Sequence, residues 1–465
     1  MSRSAPKNIV FILTDQLRAD IAYHEKYPFV RTPNLDKLRA DGVTFRRAFC
    51  QSPVCGPSRA SIMTGRYPLQ NGVTNNRCIL PGDERTIGHH LSDNGYEVVA
   101  FGKTHGQNRG FRVAAEPPLV PSLGTSTWGP YKKPPADPRT SDRPVEPLVG
   151  VFPGSLDEHY DFVVAREAVE FLRGRDGDRP FFLFVGIHGP HPPFLPPKEF
   201  AELYDPADIE LPSFDPSDNS RPAFQTDYTK SWRSLTLDEQ RRMIAAYLAQ
   251  VSHVDAAAGH IIDAVETFGL GSETTIVFSS DHGDQLGEHG ITGKFHNFYD
   301  ASARCPLVIK TPSGAAGTAS RADEDSNALI EMVDLYPTFC DLLDMPTPGP
   351  VSGRSFASLL DDPSGKHRDC VTAFLEEKAA HNTGADPHRR YLRGMMLRTD
   401  EWKLNVYADD TPELYKVADD PAEERNLAQA REHTSVRLEL TERMVQESLR
   451  SSRDPALWQM NQFFG

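Results

Sequence analysis

The sequence predicts an α/β fold. A mostly parallel central sheet is sandwiched by helices and followed by a smaller C-terminal α+β domain with a short antiparallel sheet. Three observations carry this. Short apolar runs recur along the first 310 residues, each ending in polar, chemically capable side chains. Helical segments with an apolar stripe lie between them, and strands alternating with helices build parallel sheets. Beyond about residue 365 the texture changes to short strand-like pieces and one charged helix.

Residues 8–14 form the first run, continuous and apolar as in a strand buried on both faces, and it ends in Thr14-Asp15-Gln16. Residues 98–101, followed by Gly102-Lys103, repeat the pattern. So do residues 180–187 before His188-Gly189-Pro190-His191, and residues 275–279 before Ser280-Asp281-His282-Gly283. Residues 165–173 read as a helix. Residues 247–268 are the clearest one, with Tyr247, Val251, Val254, Ala258, Ile261, Ile262, Val265 and Phe268 on one stripe. Two long polar, proline-rich segments, 114–154 and 195–236, are expected to wall the pocket and set substrate choice. Residues 391–397, 402–407 and 413–416 read as antiparallel strands and 432–450 as an amphipathic helix. The expected division is a catalytic domain over 1–364 and a small domain over 365–465. Ligands in such folds sit at the carboxyl ends of the strands, where each of these runs places its polar residues.

Composition narrows the function. The 465-residue chain is 38% hydrophobic and 25% charged, with a formal net charge of −15, which argues against nucleic acid and anionic membranes as partners. An anionic substrate then needs a local cluster of Lys, Arg and His. The longest early apolar run, residues 9–13, is too short for a signal-peptide core, and no later segment reaches membrane-spanning length. A cytoplasmic location is therefore expected. No pair of the six cysteines has C-x-x-C spacing, which suits buried, reduced thiols rather than zinc ligands.

The most specific motif is Cys55-Gly56-Pro57-Ser58-Arg59-Ala60-Ser61-Ile62-Met63-Thr64-Gly65. Its helix-forming tail places Cys55 at a helix N-terminus, a ready anion site. A phosphatase of the C-x5-R type is excluded, because Ser61 stands where its arginine is required. Asp15 with Gln16 and Asp281 with His282 close two strands, and carboxylate and amide oxygens suit a hard divalent cation.

The Cys55 motif resembles the type I sulfatase signature C-x-P-S-R-x-x-x-T-G of the alkaline phosphatase superfamily. A six-letter match arises by chance on the order of once in a hundred thousand such chains. The resemblance implies that a maturation enzyme oxidises Cys55 to formylglycine and that Arg59 holds and polarises it. It implies a metal site of Asp15, Gln16, Asp281, His282 and residue 55, with Ca²⁺ the first expectation. Many sulfatases carry Asp where this chain has Gln16 and Asn where it has His282, and the nitrogen donor makes Mn²⁺ the alternative. Phe101-Gly102-Lys103-Thr104-His105-Gly106 resembles the family's G-K-W-H box, implying sulfate binding by Lys103 and proton handling by His105. His191, in His188-Gly189-Pro190-His191-Pro192-Pro193-Phe194, matches the histidine that protonates the leaving oxygen, and Lys294 the lysine on the sulfate. Asn76 is a further candidate substrate contact. The C-terminal Glu413-Leu414-Tyr415 and Asn426-Leu427 echo the family's ending.

The mechanism so implied is two-step covalent hydrolysis of a sulfate monoester on a carbohydrate, aryl or small alkyl alcohol. One hydroxyl of the hydrated aldehyde attacks sulfur, and the second lets the intermediate collapse. The rival reading is a phosphonate monoester or phosphodiester hydrolase of the same superfamily. Lys103 and His105 favour the sulfatase. A non-catalytic binding protein would be expected to have lost Cys55, Arg59, Asp281 or Lys294, and all are present.

Overall fold

The computed structural model describes residues 7–113, 149–175, 179–215, 217–218, 220–294, 297–312, 323–378, 391–408 and 410–452. Most of the expected segment 114–154 lies outside them. The strands are β1 (Asn8–Asp15), β2 (Val43–Phe49), β3 (Glu97–Gly102), β4 (Arg112–Val113), β5 (Phe181–Pro190), β6 (Thr274–Ser280), β7 (Arg304–Cys305), β8 (Leu307–Lys310), β9 (Glu324–Glu331), β10 (Val371–Lys378), β11 (Tyr391–Arg398), β12 (Lys403–Tyr407) and β13 (Glu413–Tyr415).

Nine of these form one sheet in the order β4-β3-β5-β1-β6-β8-β2-β7, with β9 paired to β2. The half from β4 to β6 is parallel, and β8 and β7 run antiparallel to their neighbours. Every residue of β1 is buried. Its side chains alternate between two cores, as the strand period requires. Val10 and Ile12 face the core made with helices Tyr160–Arg173 and Leu237–Thr267. Ile9, Phe11 and Leu13 face the core made with helices Cys55–Thr64 and Leu335–Leu342. This two-sided burial explains why the central strands read as unbroken apolar runs.

The strands β10 to β13 form a separate four-stranded antiparallel sheet, packed with the helix Thr434–Ser452. It joins the large sheet's core through Val371, Ala373, Leu375, Met396 and Tyr407, and the Phe374 amide donates to the Gln51 carbonyl.

Boundaries differ from the sequence reading in two helices. The helix expected at 165–173 starts at Tyr160, and that expected at 247–268 starts at Leu237. Within 195–236, helix Ala223–Arg233 and a short turn at Lys198–Ala201 replace much of the expected loop. This segment buttresses the 284–294 loop: Trp232 packs against Gly287, and Arg221 Nη1 donates to the His289 carbonyl at 2.7 Å. No helix among the described residues is long and apolar enough to cross a membrane.

Candidate active site

The carboxyl ends of β1, β3, β5 and β6 converge on the N-terminus of helix Cys55–Thr64. Cys55 is the first residue of that helix, after an extended Val54. Its thiol donates toward Asp15 Oδ1 at 3.6 Å, and Sγ lies 3.2 Å from His282 Nε2. Lys294 Nζ donates to Sγ at 3.3 Å. Burial first, then Asp15, pushes the Cys55 thiol up to about 11, so the unmodified side chain stays a neutral thiol and a poor nucleophile.

Arg59, one helical turn on, is fully buried and ties the site together. Its Nε donates to Asp281 Oδ2 at 2.7 Å, Nη2 to Asp15 Oδ2 at 3.1 Å, and Nη1 to the Lys103 carbonyl at 2.7 Å. Such a fork engages two carboxylates where a lysine could not. Burial alone would lower the Arg59 guanidinium, yet Asp281 and Asp15 raise it well above its ordinary value. Burial would also raise Asp15. Lys103, His191, Lys294 and Arg59 outweigh it and hold this carboxyl well below the usual range.

Lys103 Nζ is 2.8 Å from Asp15 Oδ2 and partly open to solvent. His191 Nε2 lies 3.9 Å from Asp15 Oδ1, while its Nδ1 is 2.6 Å from the Pro192 carbonyl. Burial and the two lysines hold His191 well below its usual value. His105 sits near the helix start, against Gly56, with a left-handed φ of 56°. Burial, Lys103 and Arg59 lower it to about 4. His282 is lowered to about 4, chiefly by burial. Asn76 Oδ1 accepts the Gly56 amide at 2.8 Å, so it serves as an acceptor at the helix start.

Asp15, Cys55, Asp281 and His282 each offer a ligand atom, all within 4.8 Å of one another. Two carboxylates and an imidazole converging in a buried site fit a divalent cation. Gln16 turns away from β1 with φ 71°. Its Oε1 accepts from Lys294 Nζ at 2.5 Å and its Nε2 donates to Asp284. The Gln16 amide thus lies beside the cluster and is engaged by Lys294.

Asp284 and Tyr247 complete the frame, and neither was read from the sequence as a site residue. Asp284 Oδ1 also accepts the Leu286 amide at 2.7 Å and the Gly293 amide at 3.2 Å, which anchors the turn leading to Lys294. The Tyr247 hydroxyl donates to the Gln16 carbonyl at 2.7 Å. Asp284 is the next acid after Asp281 in the same strand-end motif, which was a usable signal. Tyr247 lies on the apolar stripe of its helix and carries no such signal.

Fold and site together define a hydrolase of the alkaline phosphatase superfamily. The sulfatase family profile matches residues 7–345, and the profile for the C-terminal part of N-sulphoglucosamine sulphohydrolase matches residues 287–450. The chain belongs to the sulfatase family, enzymes that hydrolyse sulfate esters. It is 28% identical to the multifunctional alkaline phosphatase superfamily protein PehA of Trinickia caryophylli, over 91% of each chain. It is 29% identical to a choline-sulfatase of Rhizobium meliloti, over 91% of this chain and 82% of the relative. Among solved structures, a phosphonate monoester hydrolase of Silicibacter pomeroyi superposes with a TM-score of 0.82 at 26% identity, covering 97% of this chain and 96% of that one.

Proposed function

We propose that the chain cleaves a sulfate monoester of a carbohydrate, aryl or small alkyl alcohol, with position 55 converted to formylglycine by a separate maturation enzyme. The observation that carries this is the convergence of Lys103, Lys294 and His191 on Cys55 and Asp15 at one sheet edge. Asp15, Asp281 and His282, with Gln16 beside them, would hold the divalent cation, Ca²⁺ or Mn²⁺. A bound cation would lower the pKa of the hydroxyl at position 55 and neutralise charge on the group being transferred.

The chain's own residues supply the rest. Arg59, Lys103 and Lys294 offset the buried acids Asp15, Asp281 and Asp284, and a bound divalent cation would give the site a local excess of positive charge in a chain of net −15. This excess draws in and orients an anionic sulfate. His191 keeps Nδ1–H on the Pro192 carbonyl, which turns Nε2 toward the site. The incoming anion offsets the two lysines that depress His191, so the imidazolium can form and donate its Nε2 proton to the departing alcohol. His105 accepts and returns a proton near the helix start.

A second reading, phosphonate monoester hydrolysis, is favoured by the likeness to the Silicibacter pomeroyi enzyme. Steady-state kcat/KM on 4-nitrophenyl sulfate and 4-nitrophenyl phenylphosphonate separates the two. We expect the sulfate to be preferred, and a clear preference for the phosphonate would reverse the assignment. Intact mass should read about 18 Da below the thiol form for the modified residue. An active enzyme with a fully unconverted Cys55 would remove formylglycine from the mechanism.

A further inference from the structure

We propose that Asp161, braced by His253, is the positioning residue for the turn that carries His191. The inference rests on the role given to His191 above. Asp161 stands in the first turn of helix Tyr160–Arg173, is 1% exposed, and belongs to a second buried cluster with His159 and His253. Its Oδ1 accepts the His188 amide at 2.7 Å, and its Oδ2 accepts the Gly189 amide at 3.1 Å. His253 Nε2 lies 2.8 Å from the same Oδ2. The His188 carbonyl in turn accepts the His191 amide at 3.2 Å. One carboxylate therefore grips two consecutive peptide groups of the turn, and that turn sets the direction of the His191 ring.

The packing around the clamp is close. A Cβ at Gly189 would lie 2.8 Å from Asp161 Oδ2, so only glycine lets the chain approach the carboxylate this far. His253 Nδ1 is buried without a hydrogen-bond partner. This fits Nε2–H as the ring's donor to Asp161. His159 Nδ1 accepts the Asp161 amide at 3.3 Å. The carboxylate already accepts three hydrogen bonds, so the cluster is satisfied as a hydrogen-bond network rather than left open for a metal. An amide in place of Asp161 would turn an NH₂ toward at least one of these donors.

The test uses the matured enzyme and a series of sulfate esters whose leaving alcohols differ in acidity. An alcohol that departs readily as an anion needs no proton, so loss of a correctly placed acid appears only with poor leaving groups. Asp161→Asn should lower kcat/KM on alkyl sulfates by about 100-fold and on 4-nitrophenyl sulfate by less than about 5-fold. His253→Gln, which can still donate to Asp161, should show the same pattern with smaller amplitude. Equal losses across the series for Asp161→Asn, where His191→Ala still shows the steep dependence, would overturn the proposal. His191→Ala run beside them separates the two claims. If its profile is flat, the acid role of His191 fails. The positioning claim is then judged by the His191 imidazole ¹H–¹⁵N signals, which Asp161→Asn should displace and which would stay unchanged if Asp161 does not place the ring.

Discussion

At the residue scale, burial separates two kinds of positive charge in the site. Arg59 has no exposure and pairs with two buried carboxylates, whereas Lys103 reaches solvent. Arg59→Ala would strand Asp15 and Asp281 in a low-dielectric site, at a cost of about 3–5 kcal/mol in denaturant unfolding of the metal-free protein. Lys103→Ala also takes a partner from buried Asp15 but leaves Arg59 on both carboxylates, so it should cost clearly less stability than Arg59→Ala while lowering kcat/KM by about 100-fold or more. Comparable stability losses in both variants would contradict the distinction. Gly186 makes the same point for the backbone. A Cβ there would overlap the Lys103 carbonyl, which Arg59 holds, so Gly186→Ala should cost about 3 kcal/mol and misplace Lys103. That Asp15, Asp281, Arg59 and both lysines come together was legible, because motif letters and strand ends coincide. Asp161 was not, because its partners are backbone amides 27 and 28 residues away.

At the element scale, a buried carboxylate reinforces the apolar docking of the small sheet. Glu413 is fully buried and accepts from the hydroxyls of Tyr299 at 2.8 Å, Tyr407 at 2.7 Å and Tyr415 at 3.0 Å, as well as from Asn405 and Gln225. Tyr299 stacks on His289 with ring centroids 3.6 Å apart, and His289 reaches the carbonyls of Ala422 and Glu423. The loop beneath Lys294 is thus pinned to the C-terminal sheet. Glu413→Ala leaves several buried donors unpaired and should cost about 3–5 kcal/mol, while Tyr299→Phe should cost about 1 kcal/mol. Thermal unfolding distinguishes them, and equal small shifts would mean that the carboxylate is not the anchor. The Glu413-Leu414-Tyr415 motif was visible in sequence, but its partners were not. Nor was β10, which pairs with β11 across a long intervening segment. The early start of helix Leu237–Thr267 had a readable signal, the capping box of Thr236 and Glu239. The polar first turns lack the apolar stripe, which begins only at Met243.

At the scale of the whole molecule, buried histidines tie stability to pH. Burial leads in lowering His159 and His188 to about 3, and His105, His282 and His289 to about 4. Below the unfolded value near 6.5, the unfolded chain takes up protons that the folded protein refuses, so stability falls as pH falls. At pH 5 this amounts to about 2 kcal/mol per histidine. Burial raises Glu423 to about 7 and Asp255 to about 6, and these act in the opposite sense, adding stability as pH drops below those values. With His191 also lowered and Glu331 also raised, the lowered histidines still outnumber the raised carboxyls, which leaves a net loss. The melting temperature should decline steadily from pH 7 to pH 5, and a flat or rising profile would contradict the buried, neutral state of these rings.

The burial of Cys55 bears on the maturation proposed above. The side chain is 1% exposed, and the groups closing over it, His282 and Lys294, lie more than 220 residues downstream. An enzyme that converted this cysteine would need the peptide in its own cleft, and the folded chain keeps it buried. Under that proposal, conversion would have to precede the pairing of β6 with β1. A chain that folded first would be stable yet locked out of activation, so the yield of active enzyme would depend on a race between folding and oxidation, not on stability alone.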